Sequence, residues 1–184
     1  MIPRLETERL VLRELRPSDA PALYRFRGDA DAQKHNDPHL TSPDQADALI
    51  ARLADDHDAT GSVHWGLTLR GDDTVVGLPG FHHVTREAHR AGLGYDLARH
   101  LWGRGIMSEA LRAVLAWGFD ALALNKVEAH TDAENTASTA MLERLGFRLE
   151  GTLHDHFHED GAFHDVSLYA LLRRDRGLPP LSGG

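Results

Sequence analysis

Residues 101–110 read Leu101-Trp102-Gly103-Arg104-Gly105-Ile106-Met107-Ser108-Glu109-Ala110, so two glycines stand directly before a segment of strongly helical residues. Glycine lets the backbone take strained torsions and approach a ligand closely. A helix that begins at such a turn gathers unpaired N–H groups and the positive end of its dipole at one point. The stretch therefore predicts an anion site, although taken alone it also fits an ordinary tight connection before a core helix.

The segment after the turn has the periodicity of an amphipathic helix. Its apolar residues recur at helical spacing, while Glu109, Arg112 and Asp120 fall on other faces. The apolar positions are Leu111, Val114, Leu115, Phe119 and Leu122. We therefore expect the turn to be anchored to a helix that packs on the core.

Strands are predicted on both sides of this helix. Residues 91–97 lead directly into the turn, and residues 126–132 alternate weakly after the helix. A strand, a helix and a second strand in one sheet form a parallel crossover. We expect the glycine turn to lie where the first strand passes into the helix.

The remaining elements follow from hydrophobic alternation, turn residues and helix caps. Before the crossover we predict a strand over 9–15, a helix capped by Ser18-Asp19, a loop over 29–40, a helix from a capping box at 42–45 to His57, a strand over 63–69, and a strand over 74–84 that Pro79 interrupts. After it we predict a helix over 135–145 ended by Gly146, strands over 147–157 and 163–172 joined by a turn at 159–161, and a disordered tail over 174–184.

This order of elements predicts one domain over residues 1–173. The fold class is α/β (α+β), with a mixed, mostly antiparallel central sheet flanked by helices. One parallel β-α-β crossover lies at the glycine turn.

Composition narrows the class of protein further. The chain has 184 residues and no cysteine, which excludes disulfides, thiolate metal sites and a cysteine nucleophile. No run reaches the ~20 apolar residues of a membrane span, and the N-terminus lacks the apolar segment of a signal peptide. The formal net charge of −8, without a basic run, argues against a nucleic-acid partner. We expect a cytoplasmic protein without a membrane partner, whose charge suits a cationic or amine partner.

Two well-known phosphate-binding motifs match the turn only in part. A P-loop requires a lysine after the second glycine, and none follows Gly105. A dinucleotide fingerprint requires a third glycine where Ser108 stands and an acidic strand end further on, for which Glu128 is the nearest candidate. The chain also has few further parallel β-α units, so neither fold is favoured.

Four segments around the turn occur together in a characteristic order. They are Gly94-Tyr95-Asp96-Leu97, residues 102–107, Asn135-Thr136-Ala137-Ser138, and Leu142-Glu143-Arg144-Leu145-Gly146-Phe147. In this order they resemble the GNAT acyl-CoA-dependent N-acetyltransferases. With residues 7–13 and the C-terminal hairpin, they are most similar to the branch that acetylates the N-termini of ribosomal proteins on alanine or serine. The resemblance covers about residues 5–173.

The resemblance implies acetyl-CoA as the acetyl donor, bound at the glycine turn. The coenzyme A pyrophosphate would lie on the N–H groups of residues 104–108, and the pantetheine arm would pair with the strand that ends at Leu97. The cofactor-binding residues implied in this way are Leu97, Trp102, Gly103, Arg104, Gly105, Ile106, Met107, Ser108, Asn135 and Arg144. Trp102 and Met107 depart from the family's usual residues, and we expect both to be tolerated because main-chain groups hold the ligand.

Acetyl transfer to an amine needs an oxyanion donor and a proton for the departing thiolate. The resemblance implies a backbone N–H near Leu97 as the oxyanion donor. Much of the superfamily has a catalytic tyrosine where this chain has Leu142, and the ribosomal branch assigns the hydroxyl role to a serine at the position of Ser138. Ser138 also fits a helical residue that bonds locally, and Asn135 fits an N-cap as well as a pantetheine ligand.

The base that deprotonates the amine is predicted from alternation on the strand over 147–157. Asp155 falls on the same face as Phe147, Leu149, Gly151, Leu153 and Phe157, where the pKa of a carboxylate tends to rise. The glutamate that the ribosomal branch uses would align near Phe157, so it does not carry over. Asp155 is the candidate base, and a water relay to bulk solvent is the alternative.

Three histidines on the opposite face raise the question of a metal. His154, His156 and His158 have the spacing that places three imidazoles on one strand face. Arg148, Glu150 and Thr152 share that face, which is the pattern of a solvated side. We expect no metal site.

The predicted activity is direct transfer of acetyl from acetyl-CoA to a primary amine, either a protein N-terminus or a small molecule. A catalytically idle acyl-CoA-binding or regulatory module on the same fold is the alternative. Asp37, Glu159, Asp160 and Asp165 are acidic residues that could attract a cationic acceptor. The resemblance also allows a homodimer.

Overall fold

The computed structural model describes residues 1–36, 39–159 and 161–181. Its strands are β1 (Leu5–Glu6), β2 (Leu10–Arg13), β3 (Val63–His64), β4 (Gly66–Leu69), β5 (Asp72–Gly77), β6 (Gly80–Thr85), β7 (Arg90–Gly94), β8 (Lys126–Asp132), β9 (Arg148–Glu159) and β10 (Ala162–Leu172). Its α-helices are α1 (Ala20–Arg27), α2 (Ala30–Gln33), α3 (Pro43–Thr60), α4 (Ile106–Ala121) and α5 (Thr136–Arg144). Short 3-10 helices cover Pro17–Asp19, Arg99–Leu101 and Arg173–Arg176.

The strands form two sheets. One has the order β1-β2-β4-β5 and the other the order β3-β6-β7-β8-β10-β9. Among the described strands, β7 and β8 pair in parallel and the other pairs are antiparallel. Since α4 connects β7 to β8, the predicted α/β fold with one parallel crossover at the glycine turn is confirmed.

Helix α4 lies in the hydrophobic core, as its periodicity predicts. Leu111, Val114, Leu115 and Phe119 are buried, and Leu122 packs against the core. The helix is sixteen residues long and amphipathic. Within the described residues, no helix has the length and apolar character needed to cross a lipid bilayer.

Two runs of sequence pass from one sheet into the other. The predicted strand over 63–69 is divided at Trp65 into β3 and β4, and the run over 74–84 is divided before Gly80 into β5 and β6. The two breaks lie side by side, because the N–H of Trp65 donates to the carbonyl of Pro79 at 2.9 Å. The Trp65 indole is fully buried and donates to the carbonyl of Pro3 at 2.7 Å. Both strands break here because Pro79 has no N–H to donate to a neighbouring strand, and because the buried Trp65 indole needs a hydrogen-bond acceptor.

The predicted loop over 29–40 contains the short helix α2, so that prediction is wrong in part. The Asp29 carboxylate caps α2 by accepting from the N–H groups of Asp31 and Ala32. The next helix, α3, begins at Pro43 as predicted but continues to Thr60, where Gly61 takes a φ of 73°. Asp37 and the turn residue Asp160 lie outside the described residues.

The segment after β10 differs from the predicted disordered tail. Arg173–Arg176 form a 3-10 helix, and Leu178 packs against the core. The Arg173 guanidinium donates to the carbonyls of Phe119 at 2.6 Å and Pro179 at 2.7 Å. These contacts hold the chain against the end of α4 as far as Pro179.

At Gly118 the backbone of α4 lies close against the side chain of Phe81 on β6. A Cβ at Gly118 would lie 2.5 Å from Cζ of Phe81, whose side chain is fully buried. Alanine normally stabilises a helix relative to glycine by about 1 kcal/mol. Here overpacking dominates, and we expect Gly118→Ala to lower the free energy of unfolding by about 1–3 kcal/mol, measured by urea denaturation.

The matched control is Gly118→Ala in a Phe81→Leu background. The smaller side chain relieves the clash, so the penalty of the alanine should shrink in a double-mutant cycle. An equal penalty in both backgrounds would show that contact with Phe81 does not require the glycine.

Candidate active site

The parallel pairing of β7 with β8 is short. It covers Arg90↔Lys126, Ala91↔Val127 and Gly92↔Glu128. Beyond this point β7 stays with β6, while β8 stays with β10 up to Asp132. The two strands therefore diverge and leave a V-shaped gap, called here the strand opening, which lies between residues 93–97 and residues 129–132.

The alternation of backbone groups along residues 95–97 shows which of them face the strand opening. Asp96 exchanges both backbone hydrogen bonds with Leu78, at 2.9 and 3.3 Å, on the side away from β8. The N–H and C=O groups of Tyr95 and Leu97 therefore point toward the strand opening. The Leu97 carbonyl accepts a hydrogen bond from the Trp102 indole at 2.9 Å.

A pair of hydroxyl groups joins the two sides of the strand opening. The Tyr95 hydroxyl and Ser138 Oγ lie 2.7 Å apart. Ser138 is buried at the start of α5, and its N–H donates to Asn135 Oδ1 at 3.1 Å. The predicted N-cap geometry of Asn135 is thus present. Burial raises the pKa of Tyr95 to about 12, although the hydrogen bond with Ser138 acts in the opposite direction.

The sequence reasoning named Ser138 but gave no role to Tyr95. Tyr95 belongs to one of the four quoted segments and stands two residues before Leu97. Its meeting with Ser138 joins positions 43 residues apart in the chain, which strand and helix periodicity cannot reveal. A tyrosine at the end of the predicted strand that leads into the glycine turn is the signal that was available.

The glycine turn has the strained backbone that its sequence predicts. Gly103 and Gly105 both have a φ of 71°, and α4 begins directly after Gly105. Residues 102–105 are exposed, whereas the side chains of Ile106 and Met107 are buried. Ile106 and Met107 therefore anchor the turn through their side chains and can meet a ligand only through their backbone N–H groups.

A clamp from the N-terminal segment holds the turn in place. Glu109 accepts from the Thr7 hydroxyl at 2.5 Å, from the Arg9 N–H at 3.0 Å and from Arg9 Nε at 2.6 Å. Arg9 Nη1 also donates to the Arg104 carbonyl at 3.1 Å. Burial disfavours the charged carboxylate of Glu109, but the hydrogen bonds from Thr7 and Arg9 outweigh it and lower its pKa. Arg9 thereby compensates a negative charge in the first turn of a helix that is expected to bind an anion.

A second connection crosses the strand opening from the segment after α2. His35 Nδ1 lies 2.6 Å from Asp132 Oδ2 at the end of β8. Asn36 Nδ2 donates to Asp96 Oδ1 at 2.7 Å, on the β7 side. Two consecutive residues thus contact both diverging strands.

The prediction that Asp155 lies on an apolar face of its strand is wrong. Leu153 pairs with Val166 and Phe157 pairs with His164, so three residues of β9 lie opposite one residue of β10. In this bulge Asp155 has a φ of 51° and an exposed side chain, and its N–H donates to Asp165 Oδ1 at 2.9 Å. The bulge interrupts the alternation on which the prediction depended.

At and beside the same bulge, the three histidines of β9 contact different neighbours. His154 contacts Asp165 at 2.8 Å, His156 meets the ring of His130, and His158 meets the ring of Phe163. Within residues 1–36, 39–159 and 161–181, no three metal-ligating side chains are grouped to hold an ion. Arg144, which the resemblance placed at the ligand, is exposed in the last turn of α5.

Known proteins match the part of the chain that contains the glycine turn and the strand opening. A family model described as an acetyltransferase (GNAT) domain matches residues 9–148. The match includes the glycine turn, both sides of the strand opening, and Ser138.

Individual relatives match over almost the whole chain. The uncharacterized N-acetyltransferase p20 of Bacillus licheniformis is 36% identical over 172 residues, which is 93% of this chain and 97% of the relative. The ribosomal protein uS5-alanine N-acetyltransferase of Escherichia coli is 28% identical over 181 residues, with 94% of this chain and 92% of the relative covered. The solved structure of Mycobacterium smegmatis RimJ in complex with CoA-disulfide has a TM-score of 0.80 and 27% identity, and covers 90% of this chain and 83% of that chain.

The clamp around Glu109 predicts acid-dependent stability. Because its pKa in the folded chain lies below the ordinary value of 4.5, the carboxylate stabilises the fold above that pH, and this stability is lost as the pH falls through the folded-state pKa. We expect Glu109→Gln to lower the free energy of unfolding by about 1.5–3 kcal/mol at pH 7. The difference from the wild type should shrink below about pH 4.5, measured by urea denaturation across pH.

Glu8→Gln is the matched control, since this neighbouring glutamate is exposed. It should change stability by less than about 0.5 kcal/mol at any of these pH values. A Glu109→Gln penalty that stays constant from pH 7 to pH 3 would contradict the role given to the charge.

Proposed function

The chain belongs to the GNAT acetyltransferase family, and we propose that it moves an acetyl group from acetyl-CoA directly onto a primary amine within a ternary complex. The observation that carries this proposal is the strand opening, which lies beside a helix N-terminus and is bridged by two hydroxyl groups 2.7 Å apart. A helix N-terminus suited to an anion, a strand edge and a pair of hydroxyl groups are thereby close to one another. These are the three elements that transfer from a phosphate-bearing thioester requires.

Coenzyme A would be held mainly by backbone groups. Its pyrophosphate would accept from the N–H groups of residues 104–108, where the dipole of α4 adds a favourable field. Its pantetheine arm would lie along the edge formed by Tyr95 and Leu97 and pair with it as an added strand. Support for this assignment comes from the mycobacterial relative, whose structure is a complex with CoA-disulfide. Asn135 would bond the arm from the other side of the strand opening.

The reacting thioester would lie near the ends of the diverging strands. The N–H of Leu97 faces the strand opening and would donate to the oxyanion that forms when the amine attacks the carbonyl carbon. Ser138 would give its proton to the departing thiolate, and Tyr95 would supply a hydrogen bond to the same oxygen. The neutral form of Tyr95 suits this role, because its pKa of about 12 keeps the hydroxyl protonated at physiological pH.

The acceptor is proposed to be the N-terminal amine of a protein. The Escherichia coli relative is named for acetylation of alanine on ribosomal protein uS5, and it covers 94% of this chain. The net charge of −8 also favours a cationic acceptor over an anionic one. A protein N-terminus is protonated in solution and therefore fits this preference for a cation.

Asp155 stays a prediction for the general base. Its exposed position in the β9 bulge removes the apolar environment that was its main support. An Asp155→Asn variant that keeps its turnover across pH would exclude the residue.

Replacement of Ser138 tests the proton donor. We expect Ser138→Ala to lower kcat about 10²–10⁴-fold while the affinity for coenzyme A changes little, because the lost hydroxyl acts on the leaving group. Turnover is followed as thiol release from acetyl-CoA. Thr139→Ala is the matched control, since its hydroxyl bonds only to the Thr136 carbonyl among the contacts described and lies one position further along α5. A kcat for Ser138→Ala within a factor of two of the wild type would exclude this role.

An acceptor screen tests the proposed activity itself. Peptides that carry the N-terminal sequences of ribosomal proteins should release thiol from acetyl-CoA, and the same peptides with blocked N-termini should not. Small primary amines, including polyamines and aminoglycosides, form the second arm of the screen. Coenzyme A binding without turnover on any acceptor would contradict the enzyme assignment and favour an idle binding module.

A further inference from the structure

The residues that follow α2 contact both sides of the strand opening. His35 reaches Asp132 on the β8 side, and Asn36 reaches Asp96 on the β7 side. Asp96 directly follows Tyr95, and Asp132 directly precedes the turn that leads into α5. The His35–Asn36 segment therefore contacts both strands that border the gap joined by the Tyr95–Ser138 hydroxyl pair.

Asp132 is positioned rigidly. Its carbonyl accepts the Asn135 N–H at 3.0 Å, and its Oδ1 accepts the Glu134 N–H at 2.9 Å. These bonds connect Asp132 to the cap of α5, since Asn135 Oδ1 in turn accepts from the Ser138 N–H. The orientation of the carboxylate is thus set by the same turn that sets Ser138.

The tautomer of His35 follows from the charge of Asp132. Only 8% of Asp132 is exposed, and this burial opposes ionisation, but the Glu134 N–H and His35 outweigh it and lower the pKa of the carboxyl. An ionised carboxylate can only accept, so His35 Nδ1 carries the proton of the 2.6 Å hydrogen bond. In the neutral ring, Nε2 on the other side then carries the lone pair. A quarter of the His35 side chain is exposed, which leaves the ring within reach of an incoming molecule.

We propose that His35 accepts the proton that the acceptor amine loses during acetyl transfer, and that Asp132 is the positioning residue that holds its ring. This inference rests on the proposed function, because it assigns a group to the acceptor side of that same site. When its ring is neutral, an imidazole held by a carboxylate through Nδ1 can take a proton at Nε2.

The proposed step is balanced in atoms and charge. The ammonium group of the acceptor first loses one proton to solvent. The neutral amine nitrogen then attacks the thioester carbon, so that a C–N bond forms and the carbonyl electron pair moves to oxygen. His35 Nε2 takes the proton from the resulting ammonium nitrogen. The carbonyl then re-forms, the C–S bond breaks with its electron pair on sulfur, and Ser138 gives its proton to the thiolate. The proton on His35 returns to the Ser138 oxygen through solvent.

Other charged groups around His35 come from several elements. His164 on β10 interacts with Asp132, Lys34 precedes His35 in the chain, and the Arg27–Asp96 ion pair, with an N–O distance of 3.2 Å, lies beyond Asn36. Any of these could shift a pH profile, so the test compares variants and does not rely on one apparent pKa.

The experiment measures kcat/KM against pH for acetylation of the best peptide from the acceptor screen. We expect His35→Gln to lower kcat about 10²–10⁴-fold across the pH range, because glutamine can bond Asp132 but cannot take a proton. Asp132→Asn should lower kcat about 10–100-fold. Added imidazole should restore part of the turnover of His35→Ala. Coenzyme A affinity and the unfolding midpoint should stay close to those of the wild type.

His154→Gln is the matched control. His154 also bonds an aspartate through Nδ1, at 2.8 Å from Asp165, but its side chain is 79% exposed on the hairpin. It should keep the wild-type profile. If the wild type turns over and His35→Gln has the same kcat, the role of His35 alone is overturned. Absence of turnover by the wild type on every acceptor would overturn the proposed function and this role with it.

Discussion

The rest of the molecule depends on one limit in backbone pairing: β7 and β8 run in parallel for three residue pairs and then separate. Each strand has a different partner that draws it away, since β7 continues along β6 and Leu78, and β8 continues along β10. The separation leaves a strand edge whose polar groups face a gap inside the sheet. A sheet interior normally satisfies such groups, so the gap is suited to a ligand that pairs like a strand.

The glycine turn and the strand opening act together because α4 joins them. The two glycines allow the chain to leave the 3-10 helix of Arg99–Leu101 and enter α4 within a few residues, which brings the start of that helix to the mouth of the gap. The Arg9–Glu109 clamp then attaches the turn to the N-terminal strands. The proposed ligand site at this place is therefore held together by residues 100 positions apart in the chain, although each of them contributes only ordinary hydrogen bonds.

Periodicity and turn residues predicted the four longer helices and the crossover, and the order of four short segments gave the resemblance to the family, because each of these is expressed in local patterns. The glycine turn, the α4 stripe and the Asn135 cap could all be read from neighbouring residues. The predictions that the structure corrected have one common cause, which is contact between residues far apart in the chain. Trp65 and Pro79 break two strands because they meet each other, and the β9 bulge at Asp155 arises from its register with β10. Tyr95 and His35 gain their places only when distant segments meet at the strand opening, so no local pattern marks them.

Two segments of the chain pass from one sheet into the other, and this connection affects how the domain unfolds. Because β3 continues into β4 and β5 into β6, neither sheet can melt without pulling strands from the other. The domain is therefore expected to unfold as one cooperative unit, with no stable half on either side of Trp65. A ligand that binds only the folded chain raises the opening free energy of the whole unit. Amide protons in both sheets would then exchange more slowly when that gap is filled.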